Sequence, residues 1–236
     1  PGATNLLTAI GSCYFDSVPV LFITGQVNTN ELKNQRKIRQ LGFQETDIVS
    51  IAKPLCKYAV QVKKSQDLPS ILKKSFEIAL EGRQGPCLID IPMDIQSDHI
   101  QDELAKIFLD EKLKTNNYQV NPNKKRKNNF EIHQQINLLR NDVLKAKKPL
   151  ILAGGGCSAF KNRNSSREII KKLKIPVVLS LLGVDVLSYD DKQRVGFIGS
   201  YGNRWANKVL GEADLLITLG SRLDIKQTGA NLKSFC

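Results

Sequence analysis

Along this chain, short and wholly apolar runs alternate with stretches whose apolar residues recur at helical spacing. Leu6, Leu7, Ile10 and Tyr14 keep that spacing, and Val18–Thr24 follows as an apolar run too short for a helix, closed by Gly25. A run without polar alternation is what a strand buried on both faces of a parallel sheet presents. Thr46–Ala52 then predicts a short helix ended by Pro54, and Tyr58–Val62 a strand. The clearest helix has Asp67 as its expected cap, Leu68, Ile71, Leu72, Ser75, Phe76 and Ala79 along one face, and Gly82 as its stop. Pro86–Pro92 supplies another buried strand.

Residues 97–130 are rich in Asp, Asn, Lys and Gln, with a weak amphipathic patch at Leu104–Leu113, and predict an interdomain connection. A second unit opens with a helix over Glu131–Ala146 and the strand Pro149–Ala153, and turns on Gly154, Gly155 and Gly156 into another helix. Further strands are expected at Ile175–Ser180 and Ala213–Gly220. The expectation is an α/β chain of two open, mostly parallel sheets flanked by helices, with residues 1–96 and 131–236 as separate domains. Pro1-Gly2-Ala3-Thr4-Asn5 reads as a Pro-Gly turn feeding a Thr/Asn cap, the device that brings helix N-terminal amides to a ligand. Such a turn normally follows a strand, and further strands are expected after Cys236. The chain is therefore expected to be an internal piece of a larger protein.

Composition changes little in this picture: 41% hydrophobic and 25% charged residues belong to a globular chain. No apolar run is long enough to span a bilayer, so no membrane partner is expected. The five cysteines stand singly in apolar stretches without C-x-x-C spacing, which predicts buried, reduced thiols, no zinc site and a cytoplasmic protein. The formal charge of +12 would suit an anionic partner. Yet the lysines are scattered, and the one dense cluster, Lys124–Lys127, lies among asparagines without interleaved aromatics, so no nucleic-acid surface is expected.

Three groups of residues could carry chemistry. The glycines at 154–156 follow a strand and precede a helix, where a backbone can approach a phosphate, although a tight turn needing no ligand accounts for them equally. Gly199-Ser200-Tyr201-Gly202 and Gly220-Ser221-Arg222-Leu223-Asp224 form two more loops expected on the same sheet edge. There Arg222 is either a fork for a diphosphate or one half of a surface ion pair with Asp224. The third group is Gln26, leaving a strand at its C-terminal end, with Phe43, Gln44, Glu45 and Lys57. Read structurally, these are a core plug, first-turn charges and a solvated strand end.

Several short motifs in order carry a resemblance. Pro1-Gly2-Ala3-Thr4-Asn5, Ile23-Thr24-Gly25-Gln26-Val27, Phe43-Gln44-Glu45, Gly82-Arg83-Gln84-Gly85-Pro86 and Asp90-Ile91-Pro92-Met93-Asp94-Ile95-Gln96 resemble the acetolactate synthase large catalytic subunit and its thiamine-diphosphate-dependent relatives. Ala153–Gly156, Ile175–Val178, Gly202 with Ala206-Asn207, and Ala213–Asp224 extend the likeness into the second unit.

The resemblance implies a pyrimidine-binding domain followed by a central domain that holds FAD, another adenine nucleotide or nothing. It implies thiamine diphosphate and Mg²⁺ as cofactors, a 2-oxo acid such as pyruvate as substrate, and a homodimer or homotetramer. By the same resemblance Pro1, Gly2 and Asn5 lie near the pyrimidine, Gln26 faces the active site, and Phe43, Gln44 and Lys57 line the substrate channel. Arg83 matches a flavin contact, with Gly154, Gly155, Gly202, Gly220, Arg222 and Asp224 as central-domain cofactor contacts. The family's proton-transfer glutamate is expected before Pro1, and no Gly-Asp-Gly metal motif occurs, so these 236 residues alone are expected to be inactive.

Two departures stand out. The Val27–Gly42 loop is longer and more basic than such a synthase implies, with Lys33, Arg36, Lys37 and Arg39, and Ser200-Tyr201-Gly202 replaces an expected Met-His-Gly. A related enzyme of sugar or surface-polysaccharide synthesis, and a non-catalytic nucleotide-binding protein, are the alternatives.

Overall fold

The computed structural model describes residues 1–99, 129–158, 163–231 and 235. The patch expected at Leu104–Leu113, the basic cluster Lys124–Lys127 and Cys236 lie outside the described residues. The chain divides into two compact units, Pro1–Asn121 and Pro122–Cys236.

In the first unit, β1 (Leu21–Gln26), β2 (Tyr58–Gln61) and β3 (Cys87–Pro92) run parallel in the order β1-β3-β2. Central β3 is buried along its whole length. Its Leu88 packs with Ile10 of helix α1 (Leu7–Asp16) and with Ile48 and Ala52 of helix α2 (Ile48–Ala52). On the opposite face Ile89 and Ile91 pack with Val62, with α3 (Leu68–Leu80) through Leu68, Ile71 and Leu72, and with Ile95 of α4 (Met93–Ser97).

The strand expected at Val18 begins at Leu21 instead, because the run contains Pro19, which has no N–H to give a ladder. It is an edge strand rather than one buried on both faces, and Ile23 is 57% exposed. Phe76, expected on the buried face of α3, is exposed, while Ser75 and Ala79 are buried.

Helix starts also differ from expectation. Gly2–Leu6 forms a 3-10 turn running straight into α1, Thr4 Oγ1 donates to the Pro1 carbonyl at 2.6 Å, and no side chain caps α1. Asp67 does not cap α3 with its carboxylate either; its carbonyl accepts from the Ser70 hydroxyl. The acidic cap belongs to α2, where Asp47 accepts from the Ser50 amide at 3.0 Å.

The second unit contains four parallel strands, β4 (Pro149–Ala153), β5 (Val177–Leu179), β6 (Arg194–Phe197) and β7 (Leu215–Leu219), in the order β6-β5-β4-β7. Helices α5 (Asn129–Lys145), α6 (Arg163–Leu173), α7 (Arg204–Gly211) and α8 (Ile225–Thr228) intervene. Side chains alternate between two clusters. Ile151, Ala153, Val177 and Leu179 meet Ile170 of α6, while Leu150, Leu152 and Val178 meet Ala206 and Leu210 of α7. Such double burial is why these strands read as continuous apolar runs. Each unit is thus a parallel sheet flanked by helices.

Asp214 fastens the start of β7 beside β4, accepting from the Lys147 and Lys148 amides at 2.7 and 2.8 Å. Those amides hold its carboxyl below the ordinary 3.8. A carboxyl lowered on folding stabilises the fold above its unfolded value, and that contribution disappears as pH falls through the lower folded value. Between pH 5 and 2, Asp214→Asn should flatten the acid decline of the melting temperature, followed by circular dichroism.

The described cysteines Cys13, Cys56, Cys87 and Cys157 carry free thiols. Burial pushes the Cys56 thiol up to about 11, which leaves it un-ionised near neutral pH. Among the described residues no helix is long and apolar enough to cross a membrane.

Candidate functional site

In a parallel sheet the loops that follow the strands gather on one edge, where ligands bind in open α/β folds. At that edge of the first unit, Thr24, Asp90 and Gln61 are register partners across the three strands. Asp90 is 0% exposed. Its Oδ1 accepts from Thr24 Oγ1 at 2.7 Å, and its Oδ2 accepts from Gln61 Nε2 at 2.9 Å and Gln26 Nε2 at 3.2 Å. A carboxylate out of water is tolerable only when it is hydrogen-bonded, and both oxygens of this one are. Sequence reading missed Asp90 as a site residue. The available signal was a lone carboxylate inside the otherwise apolar Pro86–Pro92 run.

Gln26 stands where the sequence placed it, at the end of β1, but its amide is committed inside the unit. Besides Asp90, its Nε2 donates to the Thr46 carbonyl at 2.7 Å, and its Oε1 accepts from the Val27 amide at 3.0 Å. Both hydrogens of the Gln26 amide are therefore occupied within the unit.

The loop after Gln26 returns to the same edge. Glu45 closes it, accepting from the Lys33 amide at 2.8 Å through one oxygen and from the Leu41 amide at 2.9 Å through the other. Burial opposes the Glu45 charge, but the amides of Leu41, Lys33 and Gly42 prevail and hold the carboxyl below its ordinary value. Phe43 is 86% exposed, so it is no core plug. Gln44 beside it is exposed and takes a left-handed backbone with φ 61°. Arg36, Lys37 and Arg39 are exposed on the same loop.

Lys57 is not brought together with this group. It precedes β2 at the N-terminal edge of the sheet, and its ammonium donates to the Ile78 and Glu81 carbonyls at the end of α3. Within this unit the cation serves a helix C-terminus. Arg83 closes the end of α1, donating to Ser17 Oγ at 2.8 Å and to the Phe15 carbonyl at 3.1 Å. Pro1, Gly2 and Asn5 are exposed, and a Cβ placed on Gly2 would meet nothing within 4 Å.

In the second unit the loops after β4, β6 and β7 do share one edge. The Gly154 and Gly156 amides donate to the Leu219 and Gly220 carbonyls at 2.8 Å each, and the Ser200 amide donates to the Lys226 carbonyl at 2.9 Å. A Cβ on Gly154 would come within 2.5 Å of the Gly220 carbonyl oxygen, and one on Gly202 within 2.5 Å of the Ile198 carbonyl carbon. A Cβ on Gly155 would lie 3.1 Å from the Leu182 side chain. Gly220 has φ +62°, so its own turn calls for glycine. Chain packing on chain therefore accounts for these glycines.

Arg222 Nε lies 3.3 Å from Asp224 Oδ2, and Asp224 also caps α8 through the Lys226 amide at 2.9 Å. The ion-pair reading of these two residues holds, and the donor set by itself makes no case for FAD. Among the described residues no group of three or more His, Cys, Asp or Glu is placed to hold a metal ion.

Comparison with known proteins gives the frame for these sites. The family model of the thiamine pyrophosphate enzyme N-terminal TPP binding domain matches residues 1–51, and that of the thiamine pyrophosphate enzyme central domain matches residues 137–236. The chain is 36% identical over its whole length to the acetolactate synthase large subunit of Haemophilus influenzae, covering 38% of that protein. It is 33% identical over its whole length to the acetolactate synthase isozyme 3 large subunit of Escherichia coli, again covering 38%. With the acetolactate synthase large subunit of Lactococcus lactis it shares 34% identity over 95% of its own length and 36% of the relative's. The chain thus spans well under half the length of these relatives.

Proposed function

We propose, because this chain belongs to the thiamine pyrophosphate enzyme family, that its full-length protein is a 2-oxo acid decarboxylase and carboligase that condenses pyruvate with release of CO₂. The observation that carries this reading is the similarity to acetolactate synthase large subunits from end to end of the chain. Residues 1–96 are the later part of the pyrimidine-binding domain and 131–236 belong to the central domain. Thiamine diphosphate, when bound, supplies the decarboxylation and carbon–carbon bond formation. Pro1, Gly2 and Asn5 would border its pyrimidine, and exposed Phe43 and Gln44 would form the acceptor side of the substrate channel. The Mg²⁺ ligands lie outside these residues, and the protein works in the cytoplasm as a homodimer or homotetramer. These 236 residues alone do not turn over.

The basic loop favours a second reading within the same chemistry. Exposed Arg36, Lys37 and Arg39 beside the acceptor side suit an acceptor more anionic than pyruvate, such as one in sugar or surface-polysaccharide synthesis. A non-catalytic protein holding an adenine nucleotide is the outcome if no carbon–carbon bond is made.

The test is to purify the full-length protein, supply thiamine diphosphate, Mg²⁺ and pyruvate, and follow CO₂ and acetolactate. Product formation supports the reading, and its absence with pyruvate and with anionic 2-oxo acids alike sinks it. Flavin absorbance of the same sample decides whether FAD is held. Truncating Phe43 to Ala should raise the acceptor KM about tenfold with a smaller change in kcat, as loss of one apolar contact at the acceptor predicts. Steady-state kinetics in the acceptor check it.

A further inference from the structure

We propose that Asp90 is a positioning residue for the acceptor side: its buried carboxylate fixes the Gln26 amide, and Gln26 pins the Thr46 carbonyl and the loop end that presents Phe43 and Gln44. The inference rests on the reading of Phe43 and Gln44 given above. It starts from the directionality of an amide. If the Gln26 side chain were flipped, its oxygen would face Asp90 Oδ2 and the Thr46 carbonyl, two acceptors that now take its hydrogens at 3.2 and 2.7 Å. A carboxylate at position 90 therefore permits one orientation only. An asparagine there could offer either a donor or an acceptor, so only the Thr46 carbonyl and the Val27 amide would still hold the orientation, with one tie fewer to the central strand.

Asp90 is itself held from both neighbouring strands, by Thr24 at 2.7 Å and Gln61 at 2.9 Å, so it is a rigid reference on the central strand. Thr46 stands at the other end of the connection, directly before Asp47, the cap of α2. Glu45 ties the preceding residues through the Lys33 and Leu41 amides, and the Glu45 carbonyl accepts from Gln40 Nε2 at 2.9 Å. Residues 42–46 are thus anchored through backbone atoms. Phe43 is 86% exposed, so its own packing does little to place it, and the backbone anchor sets where it stands. A buried carboxylate is also a costly way to stabilise a strand when apolar residues of similar volume would serve, which points to a role in specifying geometry.

The experiment uses the full-length protein and two variants, Asp90→Asn and Gln26→Leu, with amide hydrogen exchange and steady-state kinetics read on each. Both should speed exchange of residues 42–46 about tenfold, the effect of losing one charge-assisted hydrogen bond, while α1 and α3 exchange as before. Both should raise the acceptor KM more than they lower kcat. Wild-type exchange at 42–46 in the folded variants overturns the proposal, and so does uniform loosening of the whole first unit. If Asp90→Asn does not fold, Gln26→Leu carries the test, since it leaves Asp90 with Thr24 and Gln61. Loop-specific exchange in a protein that makes no carbon–carbon bond would uphold the anchor and overturn the carboligase reading, so the two failures are distinguishable.

Discussion

Replacing Gly154 by alanine should destabilise the second unit by about 3 kcal/mol, the upper range for forcing one methyl into a packed site. The new Cβ would lie 2.5 Å from both the Gly220 carbonyl oxygen and the Ser221 Cα. Both are backbone atoms, and the adjacent Gly154 amide is bonded to the Leu219 carbonyl at 2.8 Å, so the loop after β7 cannot retreat without giving up that bond. Backbone strain is not the cause, because Gly154 has φ −106° and ψ −179°, extended values open to any residue. The stiffer unfolded chain of the alanine variant works the other way, by roughly 0.4–1 kcal/mol. Gly211, where an added Cβ would meet nothing within 4 Å, isolates that opposing effect. Gly211→Ala should raise the urea midpoint slightly while Gly154→Ala lowers it sharply, with equal slopes.

Asp90→Leu should cost the first unit about 3 kcal/mol, since it removes one acceptor from three donors at once. Thr24 is 6% exposed and loses its carboxylate partner in a closed site, whereas Gln26 and Gln61 are only half-buried and recover part of the loss from water. This keeps the total below the sum of three fully buried orphan donors. Asp90→Asn should lose less than half as much, because it keeps one acceptor in place. Chemical denaturation of both variants, followed by the fluorescence of the protein and by circular dichroism, gives the ordering. An equal loss in the two would mean that the donors do not depend on the acceptor at position 90.

The contrast between Asp90 and its neighbours shows what the sequence could and could not convey. Leu88, Ile89 and Ile91 announced a buried strand because central β3 has a core on both faces. The apolar character of β4, β5 and β7 was equally plain, and the loops after β4, β6 and β7 fell on one edge as their order along the chain required. Two of the edge strands were less legible. β1 keeps an exposed Ile23, and β6 carries Arg194 and Gly196, each with a strand along one flank only among the described residues.

Long polar side chains were the least legible. Lys57 and Arg83 look from sequence like cations awaiting a ligand, yet each reaches carbonyl groups at a helix end formed by distant residues. Thr4 and Asp67 have the chemistry of caps but stand where a 3-10 turn leads into the helix, and their own carbonyls or hydroxyls bond locally instead. Motif resemblance pointed to Gln26, Phe43 and Gln44 as candidates. Which of their atoms are occupied depends on Asp90 and Thr46, and no spacing in the chain reveals that.

Glu45 grips the loop at Lys33 and Leu41 with its two oxygens, as the string of a purse grips its neck. Residues 34–39 lie beyond that closure and beyond the Gln40 bond to the Glu45 carbonyl, so their number and composition can change without disturbing the strands on either side. Closing a longer loop costs only about 0.6 kcal/mol for each doubling of its length. The segment is thus an exchangeable cassette, which can be transplanted between relatives while the supporting sheet stays the same.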